Sequence, residues 1–381
     1  MTYWWVMSRT LFVTLALAAL VFPACAQTPQ IAPVANPPQL KPLSFSIGGR
    51  VLPAPVRDAR FGGHTYIYQW PGTWFEASFA GSQVCFDIGK GKVILHVIVD
   101  NQPPIALPQP APGIRCASGF ANAPHTIRVD DVTENQQDAP NAFDGFAIHA
   151  GEKPLDPPHR TRQIEFIGDS HTVGYGDTSP TRNCTNDVVW ATTDTSHAFG
   201  PLVAAHYDAD DQINAISGHG IVRNYNGGPG DPVPVAWPYI LFDKQNPYND
   251  PAWHPQIIVI ALGTNDFSTR LRPGEKWKTR EDLHADFEAT YVRFLQTLRT
   301  RNPHAYVIVW ATDMADGEID AEARKVVNQW KATGETRVTF IPINSLQFSA
   351  CNYHPSLADH QTIATILEKT IDATPGIWQG K

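Results

Sequence analysis

The sequence predicts two domains of different fold class: an N-terminal β-sandwich of the jelly-roll type, followed by a three-layer α/β domain with a parallel sheet. The chain of 381 residues is too long for one ordinary domain. Residues 44–152 alternate short apolar strands with turn residues and show no helical period. Residues 160–376 alternate continuous apolar runs with helical patterns. Hydrophobic residues make up 43% and charged residues 17% of the chain, enough for a packed core in each domain.

The chain begins with a segment typical of a secretory signal, residues 1–26. Arg9 precedes an apolar stretch over residues 11–22, and the small residues around Ala26 predict cleavage after that position. The stretch is too short for a comfortable membrane span. Cys25 leaves a lipoprotein signal open, although Phe-Pro-Ala before it matches that pattern poorly. We therefore expect a secreted or periplasmic protein without membrane contact after cleavage.

The mature chain is predicted to start with a linker and the sandwich. Residues 27–43 are rich in proline and lack a periodic pattern, which is typical of a linker. In residues 44–152, stretches such as HTYIY and KVILHVIVD are bounded by Gly, Pro, Asn or Asp, which is typical of sandwich strands. Several aromatic residues here could bind sugar, but core packing is the preferred interpretation: Tyr66, Tyr68, Trp70 and Trp74.

The α/β domain is predicted from five apolar runs, QIEFIG, QINAIS, QIIVIALG, AYVIVWA and VTFIPI, with helical segments between them. The clearest helix begins after Thr279, an N-cap candidate with Asp282 three residues on. Further helices are expected near residues 196–207, 320–333 and 355–370. In sheets of this kind, functional sites form beyond the carboxyl ends of the strands.

Charge and cysteine content restrict the function classes. The net charge of −8, without a Lys/Arg cluster, argues against nucleic acid as a partner. Four cysteines remain without Cys25, and an even count in an exported chain permits two disulfides in any of three connectivities. Pairing within each domain would join Cys85 to Cys116 and Cys184 to Cys351. Because CxxC and CxH spacings are missing, a zinc site is disfavoured.

Chemistry-bearing residues follow the predicted strands at four places. They are Ser170 in GDS, Gly218 in SGH, Asn265 in GTND, and His354 in HP ahead of the last helix. Because the carboxyl ends of parallel strands meet at one edge of the sheet, we expect these residues to lie together. One such block alone would be weak evidence for a functional site, whereas four blocks in this order are a specific signal.

This set resembles the SGNH hydrolases, also called the GDSL esterase family, whose marker blocks are Ser in Gly-Asp-Ser, Gly after the second strand, Asn in Gly-x-Asn-Asp, and His before the last helix. The sandwich ahead of the blocks, the FIGDS stretch and the His-Pro-Ser ending resemble carbohydrate esterase family 2 in particular. The resemblance covers residues from about 45 to 375. It implies an SGNH hydrolase domain over residues 160–376 and a carboxylic ester hydrolase of the acetyl xylan esterase type.

The chemistry of ester hydrolysis requires the same residue types. Ser170 is the expected nucleophile and His354 the base that activates it. The backbone N–H groups of Ser170 and Gly218, with the Asn265 side-chain amide, are the expected oxyanion donors. No metal or organic cofactor is required.

The resemblance implies a secreted enzyme that removes O-acetyl groups from plant polysaccharides or oligosaccharides, such as xylan or glucomannan, with a preference for 6-O positions. Two alternatives stay open: an O-acetyl esterase on peptidoglycan or another surface glycan, and a carbohydrate-binding protein with a vestigial hydrolase domain. We expect the protein to act as a monomer.

The third catalytic member differs from the wider family, which places Asp two or three residues before the His. Cys351 and Asn352 occupy those positions, so we expect a Ser–His dyad. Either the Asn352 side chain or a backbone carbonyl could orient His354. His219 and Trp310 are candidate substrate contacts, with an exposed loop position and core packing as their respective alternatives. His360, on the predicted last helix, is expected to be exposed.

Overall fold

The computed structural model of the protein describes residues 1–2, 4, 29–35, 37, 39–134 and 139–379. The apolar stretch of the predicted signal, its cleavage site and Cys25 lie outside the described residues. Within these ranges, no helix combines the length and the apolar character needed to cross a membrane.

The N-terminal domain is an antiparallel β-sandwich, as the sequence predicts. In the described part of the chain its strands are β1 (Gln30–Pro33), β2 (Leu40–Pro42), β3 (Phe45–Gly48), β4 (Val51–Pro55), β5 (His64–Tyr68), β6 (Trp74–Ile88), β7 (Ile94–Val99), β8 (Ile105–Pro108), β9 (Gly113–Asp131), β10 (Asn141–His149) and β11 (Lys153–Leu155). The main order is β4-β5-β10-β6-β9-β7-β8; β1 pairs with β9, β2 with β10, and β3 and β11 with β6. A register shift between Gly81 and Gln83 interrupts the long β6–β9 ladder, and such a bulge lets paired strands bend together.

Strands β1 and β2 lie within residues 27–43, where the sequence predicts a linker. β1 pairs with β9, and β2 pairs with β10, so this segment belongs to the sandwich. Strands of three or four residues are too short to show a period in sequence, and proline is accepted where a strand has only one partner. Cys85 of β6 and Cys116 of β9 face each other and form a disulfide.

The C-terminal domain is built on a parallel sheet whose strands occur in the order β13-β12-β14-β15-β16 within the described residues. They are β12 (Arg162–Gly168), β13 (Ala209–Ala215), β14 (Ile257–Ala261), β15 (Tyr306–Ala311) and β16 (Val338–Pro342). The helices described in this domain are α1 (Ser170–Val173), α2 (Asn186–Thr192), α3 (Phe199–His206), α4 (Val233–Ala236), α5 (Thr264–Phe267), α6 (Arg280–Arg301), α7 (Glu318–Ala332) and α8 (Leu357–Ala373).

Helices cover both faces of this sheet, so the domain has three layers. α6 and α7 share one apolar core with the sheet, and α3 and α8 share the other. Helix α6 begins with the predicted capping box, in which Thr279 accepts from the backbone N–H of Asp282 and the Asp282 carboxylate accepts from that of Thr279. Its predicted apolar face is buried, from Leu283 to Leu298. The strand, helix and core predictions are therefore confirmed.

A buried ion pair between the sandwich and β12 joins the two domains. The Arg50 guanidinium of the sandwich lies 3.1 Å from Glu165 Oε1 on β12, and both side chains are 1% exposed. Arg50 also donates to the backbone carbonyl of Trp237 and lies over the Trp237 and Tyr248 rings. Asn214 Nδ2 donates to the same Glu165 oxygen, so the buried carboxylate has several donors. This network fixes the sandwich against the strand that leads to Ser170.

Candidate active site

Ser170 is the first residue of the short helix α1, one residue beyond the turn at Asp169 that follows β12. Asp169 is the N-cap of that helix, and its Oδ1 accepts a hydrogen bond from the backbone N–H of His171 at 3.0 Å. The Ser170 side chain is therefore presented at the carboxyl end of a central strand by a local turn. It is 5% exposed and lines the cavity above the sheet edge.

His354 contacts Ser170 in the geometry of a nucleophile and its base. His354 Nε2 lies 2.9 Å from Ser170 Oγ. On the other side of the ring, His354 Nδ1 lies 2.9 Å from the Cys351 carbonyl oxygen and 3.2 Å from the Asn352 carbonyl oxygen. Carbonyl oxygens can only accept, so Nδ1 carries the proton and Nε2 presents a lone pair to the Ser170 hydroxyl. Two backbone carbonyls thus hold the place that a carboxylate has in a triad.

The turn that supplies these carbonyls has unusual backbone geometry. Asn352 and Tyr353 have φ values of 50° and 62°, in the left-handed region that side chains other than glycine rarely adopt. The disulfide predicted between Cys184 and Cys351 is present, and the Asn352 backbone N–H donates to the Arg182 carbonyl at 2.7 Å. Contacts distant in sequence therefore hold this turn in place.

Gly176 allows the Cys351 turn to approach the segment after Ser170. A Cβ at Gly176 would lie 2.4 Å from Cys351 Cβ and 2.7 Å from its Sγ, closer than real contacts allow. Its φ of 59° also favours glycine. The glycine is thus required both for its own conformation and for the position of the histidine-bearing turn.

Tyr175 packs directly on the imidazole of His354. The two ring centroids are 4.2 Å apart with an interplanar angle of 30°. Asn352 Nδ2 donates to Tyr175 Oη at 3.3 Å. The Asn352 side chain therefore contacts the tyrosine that covers His354, while its main-chain carbonyl contacts the imidazole. Of the two orienting groups left open by the sequence, the structure has the backbone carbonyl.

Gly218 and Asn265, the residues predicted to supply oxyanion donors, line one cavity together with Ser170. Gly218 has φ of 80°, and a Cβ there would meet no atom within 4 Å, so backbone conformation rather than space requires the glycine. Asn265 Nδ2 donates to Asp169 Oδ2 and to the His219 carbonyl, each at 3.0 Å. These two bonds fix the amide orientation, and donation to an oxyanion requires one of them to be shared or exchanged.

The cavity above the sheet edge has a volume of about 650 Å³. It brings together five of the predicted site residues: Ser170, Gly218, Asn265, Asn352 and His354. The sandwich domain also lines it through Glu134. The site is therefore formed by residues of both domains.

Comparison with known proteins agrees with this architecture. Residues 60–158 match the N-terminal domain of carbohydrate esterase 2, and residues 166–363 match the GDSL-like lipase/acylhydrolase family. The chain is 43% identical over 339 residues to an acetylxylan esterase/glucomannan deacetylase from Cellvibrio japonicus strain Ueda107, covering 89% of this chain and 93% of that protein. The chain belongs to carbohydrate esterase family 2. It is accordingly a carboxylic ester hydrolase.

Solved family 2 esterases share the fold. One, described as displaying divergent catalytic and non-catalytic binding functions at its active site, superposes with a TM-score of 0.82 at 43% identity, over 89% of this chain and 100% of that chain. A family two carbohydrate esterase from Clostridium thermocellum, in complex with cellohexaose, gives a TM-score of 0.74 at 26% identity, over 88% of this chain and 100% of that chain.

Burial sets the protonation states in this family 2 site. Removal from water lowers the pKa of His354 to about 4, although its carbonyl partners act in the opposite direction. The imidazole is therefore neutral at neutral pH. Burial raises the pKa of Asp169 to about 7 and that of Asp266 to about 6. Asp266 accepts from the backbone N–H groups of residues 221–223, so it orders the loop after Gly218.

Three further residues raised by the sequence analysis lie outside the cavity lining: His219, Trp310 and His360. His219 is 8% exposed, and its Nδ1 lies 2.6 Å from the Asp231 carbonyl oxygen. Trp310 is 1% exposed and packs edge-on against Phe199, which is the core alternative rather than the sugar contact. The expectation that His360 is exposed is wrong: it is fully buried, and its Nδ1 accepts from the Phe199 backbone N–H at the start of α3.

Sequence reasoning missed residues that line the cavity from outside the four marker blocks. Glu134 comes from the sandwich, and Tyr175 lies in the GYG stretch after the serine helix. The proximity of Tyr175 to Ser170 in sequence was a usable signal. Glu134 had none, because it belongs to another domain and follows no recognisable motif.

Proposed function

We propose that this family 2 esterase is exported and removes O-acetyl groups from plant polysaccharides or oligosaccharides, with Ser170 and His354 acting as a catalytic dyad. The observation that carries this proposal is the 2.9 Å contact between Ser170 Oγ and a His354 Nε2 whose lone pair faces the hydroxyl. Serine is a weak nucleophile unless a neighbouring base accepts its proton, and the neutral imidazole is in the right state to do so.

The reaction proceeds in two halves. His354 Nε2 takes the Ser170 hydroxyl proton as Oγ attacks the acetyl carbonyl carbon. The tetrahedral intermediate collapses, the sugar oxygen leaves with the proton from His354, and acetyl-Ser170 remains. Water then gives one proton to His354 and attacks the acetyl carbon; collapse returns that proton to Ser170 Oγ and releases acetic acid, which ionises to acetate in solvent.

The oxyanion of each intermediate is stabilised by the backbone N–H groups of Ser170 and Gly218 and by Asn265 Nδ2. Such donors act at fixed positions in a site with little water, and loss of one costs roughly 10²–10³ in rate. The bonds that Asn265 makes to Asp169 and to the His219 carbonyl fix its amide at this edge of the sheet, and one of them is shared or exchanged when the oxyanion forms.

The substrate assignment rests on relatives. The Cellvibrio japonicus protein carries the name acetylxylan esterase/glucomannan deacetylase, and the Clostridium thermocellum structure contains cellohexaose. We infer acetylated xylan or glucomannan as substrate class, with primary 6-O-acetyl groups preferred. Export agrees with the predicted signal and with two disulfides, which persist in oxidising compartments.

The test combines one variant with a substrate panel. Ser170→Ala is expected to abolish hydrolysis of p-nitrophenyl acetate, and unchanged turnover would overturn the dyad. The wild type is then incubated with acetylated xylan, glucomannan and O-acetylated peptidoglycan while NMR follows the loss of each acetyl signal. If acetyl signals disappeared only from peptidoglycan, the plant-glycan assignment would be overturned. A wild type that binds glycan without releasing acetate would favour a carbohydrate-binding protein with a vestigial hydrolase domain.

A further inference from the structure

Glu134 brings a carboxylate of the sandwich into the catalytic cavity. It lies shortly after the end of β9, and its side chain is half-buried at the cavity wall. Ser217 Oγ lies 2.7 Å from each of its carboxylate oxygens, so the hydroxyl donates to Glu134. Ser217 directly precedes Gly218, which places this carboxylate beside the proposed oxyanion donor.

Among the described residues that line the cavity, Glu134 is the only acid, and Lys and Arg are not represented. The other lining side chains are hydroxyls, imidazoles, two amides, phenols and a methionine. The two oxygens of a carboxylate offer about four lone-pair sites, so it can accept a ligand hydroxyl in addition to hydrogen bonds from the protein such as that from Ser217. Hydrogen bonds to a charged acceptor are roughly twice as strong as neutral ones.

The dyad chemistry does not use this carboxylate. The Nδ1 proton of His354 is directed to the carbonyls of Cys351 and Asn352, so Glu134 is not the missing acid of a triad. A negative charge near developing oxyanion charge opposes the reaction rather than assisting it. A role in substrate binding is therefore the one that its position favours.

We propose that Glu134 accepts a hydrogen bond from a free hydroxyl of the sugar that carries the ester, so that the sandwich supplies part of the sugar-binding site. The proposal deepens the proposed function and rests on it, because it requires a sugar ester as substrate. It also predicts a preference for neutral sugars, since a uronate beside the ester would meet a like charge.

The test compares Glu134→Gln with the wild type on two esters. One is an acetylated methyl glycoside with free neighbouring hydroxyls, and the other is p-nitrophenyl acetate, which has none. Loss of a charge-assisted hydrogen bond should lower kcat/KM for the sugar ester roughly 10- to 100-fold more than for the aryl ester. An equal fall on both esters, or no fall on the sugar ester, would overturn the proposal.

A deoxy substrate isolates the hydrogen bond. When the hydroxyl next to the ester is replaced by hydrogen, kcat/KM of the wild type should fall roughly 10- to 100-fold relative to the parent sugar ester. The same replacement should change kcat/KM of Glu134→Gln only slightly, because this variant has already lost the hydrogen bond. If the fall in kcat/KM from the Glu134 change and the fall from removing the hydroxyl multiplied in full, Glu134 and the hydroxyl would act independently, which contradicts the proposal.

Glu76→Gln is the matched control. Glu76 also belongs to the sandwich and contacts the other domain, where Arg160 Nη1 lies 2.7 Å from its Oε2. This change should lower the thermal unfolding temperature while the ratio of kcat/KM for the two esters stays at the wild-type value. A wild type that hydrolyses p-nitrophenyl acetate but no acetylated sugar would sink the proposed function itself, before any Glu134 variant is measured.

Discussion

The two sides of the proposed dyad are held in place by different means. Ser170 is positioned locally, by the end of β12, the Asp169 N-cap and the first turn of α1. His354 is positioned by contacts far apart in sequence: a disulfide to Cys184, the close approach of Cys351 to Gly176, and the Tyr175 ring. A carboxylate partner would orient the histidine through its own side chain. When backbone carbonyls orient the histidine, as those of Cys351 and Asn352 do here, the main chain of the turn that carries them must itself be held in place.

The largest expected effect comes from removing the imidazole. His354→Ala should lower kcat for p-nitrophenyl acetate roughly 10²–10⁴-fold, because Ser170 loses its base. His206→Ala, on an exposed histidine of α3, is the control and should retain wild-type kcat. If His354→Ala kept more than a tenth of the activity, another group would have to be the base.

Removing the Cys184–Cys351 disulfide tests whether the turn depends on it. The double change Cys184→Ser, Cys351→Ser should lower kcat roughly 10- to 100-fold with a smaller effect on KM, because small displacements of a catalytic group are costly. Reduction of the wild type with dithiothreitol should likewise lower kcat.

The sandwich disulfide provides the control for that experiment. The loops closed by the two disulfides span 31 and 167 residues, so chain entropy assigns each a stabilisation of roughly 4–5 kcal/mol. Cys85→Ser, Cys116→Ser should therefore lower stability comparably but leave kcat unchanged below the unfolding temperature. Equal loss of kcat in both double variants would mean that stability, not the turn, decides activity.

The pH profile distinguishes a buried, carbonyl-oriented histidine from an ordinary one. Because burial lowers the pKa of His354 to about 4, it takes up its inactivating proton only as the pH falls through that value. At pH 5 the enzyme should retain most of its kcat/KM, whereas a histidine with a pKa of about 6.5 would have lost it roughly 30-fold. Activity should be measured from pH 3.5 to 8 with fluorescence as a check on unfolding. A half-maximum near pH 6.5 would contradict the burial argument.

The smallest effect is expected for the Asn352 side chain. Asn352→Ala removes the hydrogen bond to Tyr175 Oη while the Asn352 carbonyl remains, so kcat should fall by less than about 5-fold. Tyr175→Phe removes the same bond, so the kcat of the double variant should be no lower than that of the less active single variant. A loss for Asn352→Ala as large as that for His354→Ala would refute the dyad.

The sequence predicted the parts of the molecule that residue type and local period encode. The apolar face of α6, the buried parallel strands and both disulfides were all predicted, and the marker residues meet at one sheet edge as expected. The carbonyls that orient His354 were left as one of two options, because every residue has a carbonyl and its direction depends on the fold. His360 was predicted wrongly, since its burial depends on α3, which is far away in sequence. Glu134 was missed because it enters the site from another domain.

The buried Arg50–Glu165 pair has a consequence for exchange of the sandwich domain. Glu165 lies on β12, the strand that leads to Ser170, and its cation comes from the sandwich. Removing one member of a buried pair typically costs about 3–5 kcal/mol, because an uncompensated charge is left inside the protein. Exchanging the sandwich for a module without this arginine would leave Glu165 without its cation, so the exchange is expected to destabilise the catalytic domain unless Glu165 is replaced as well.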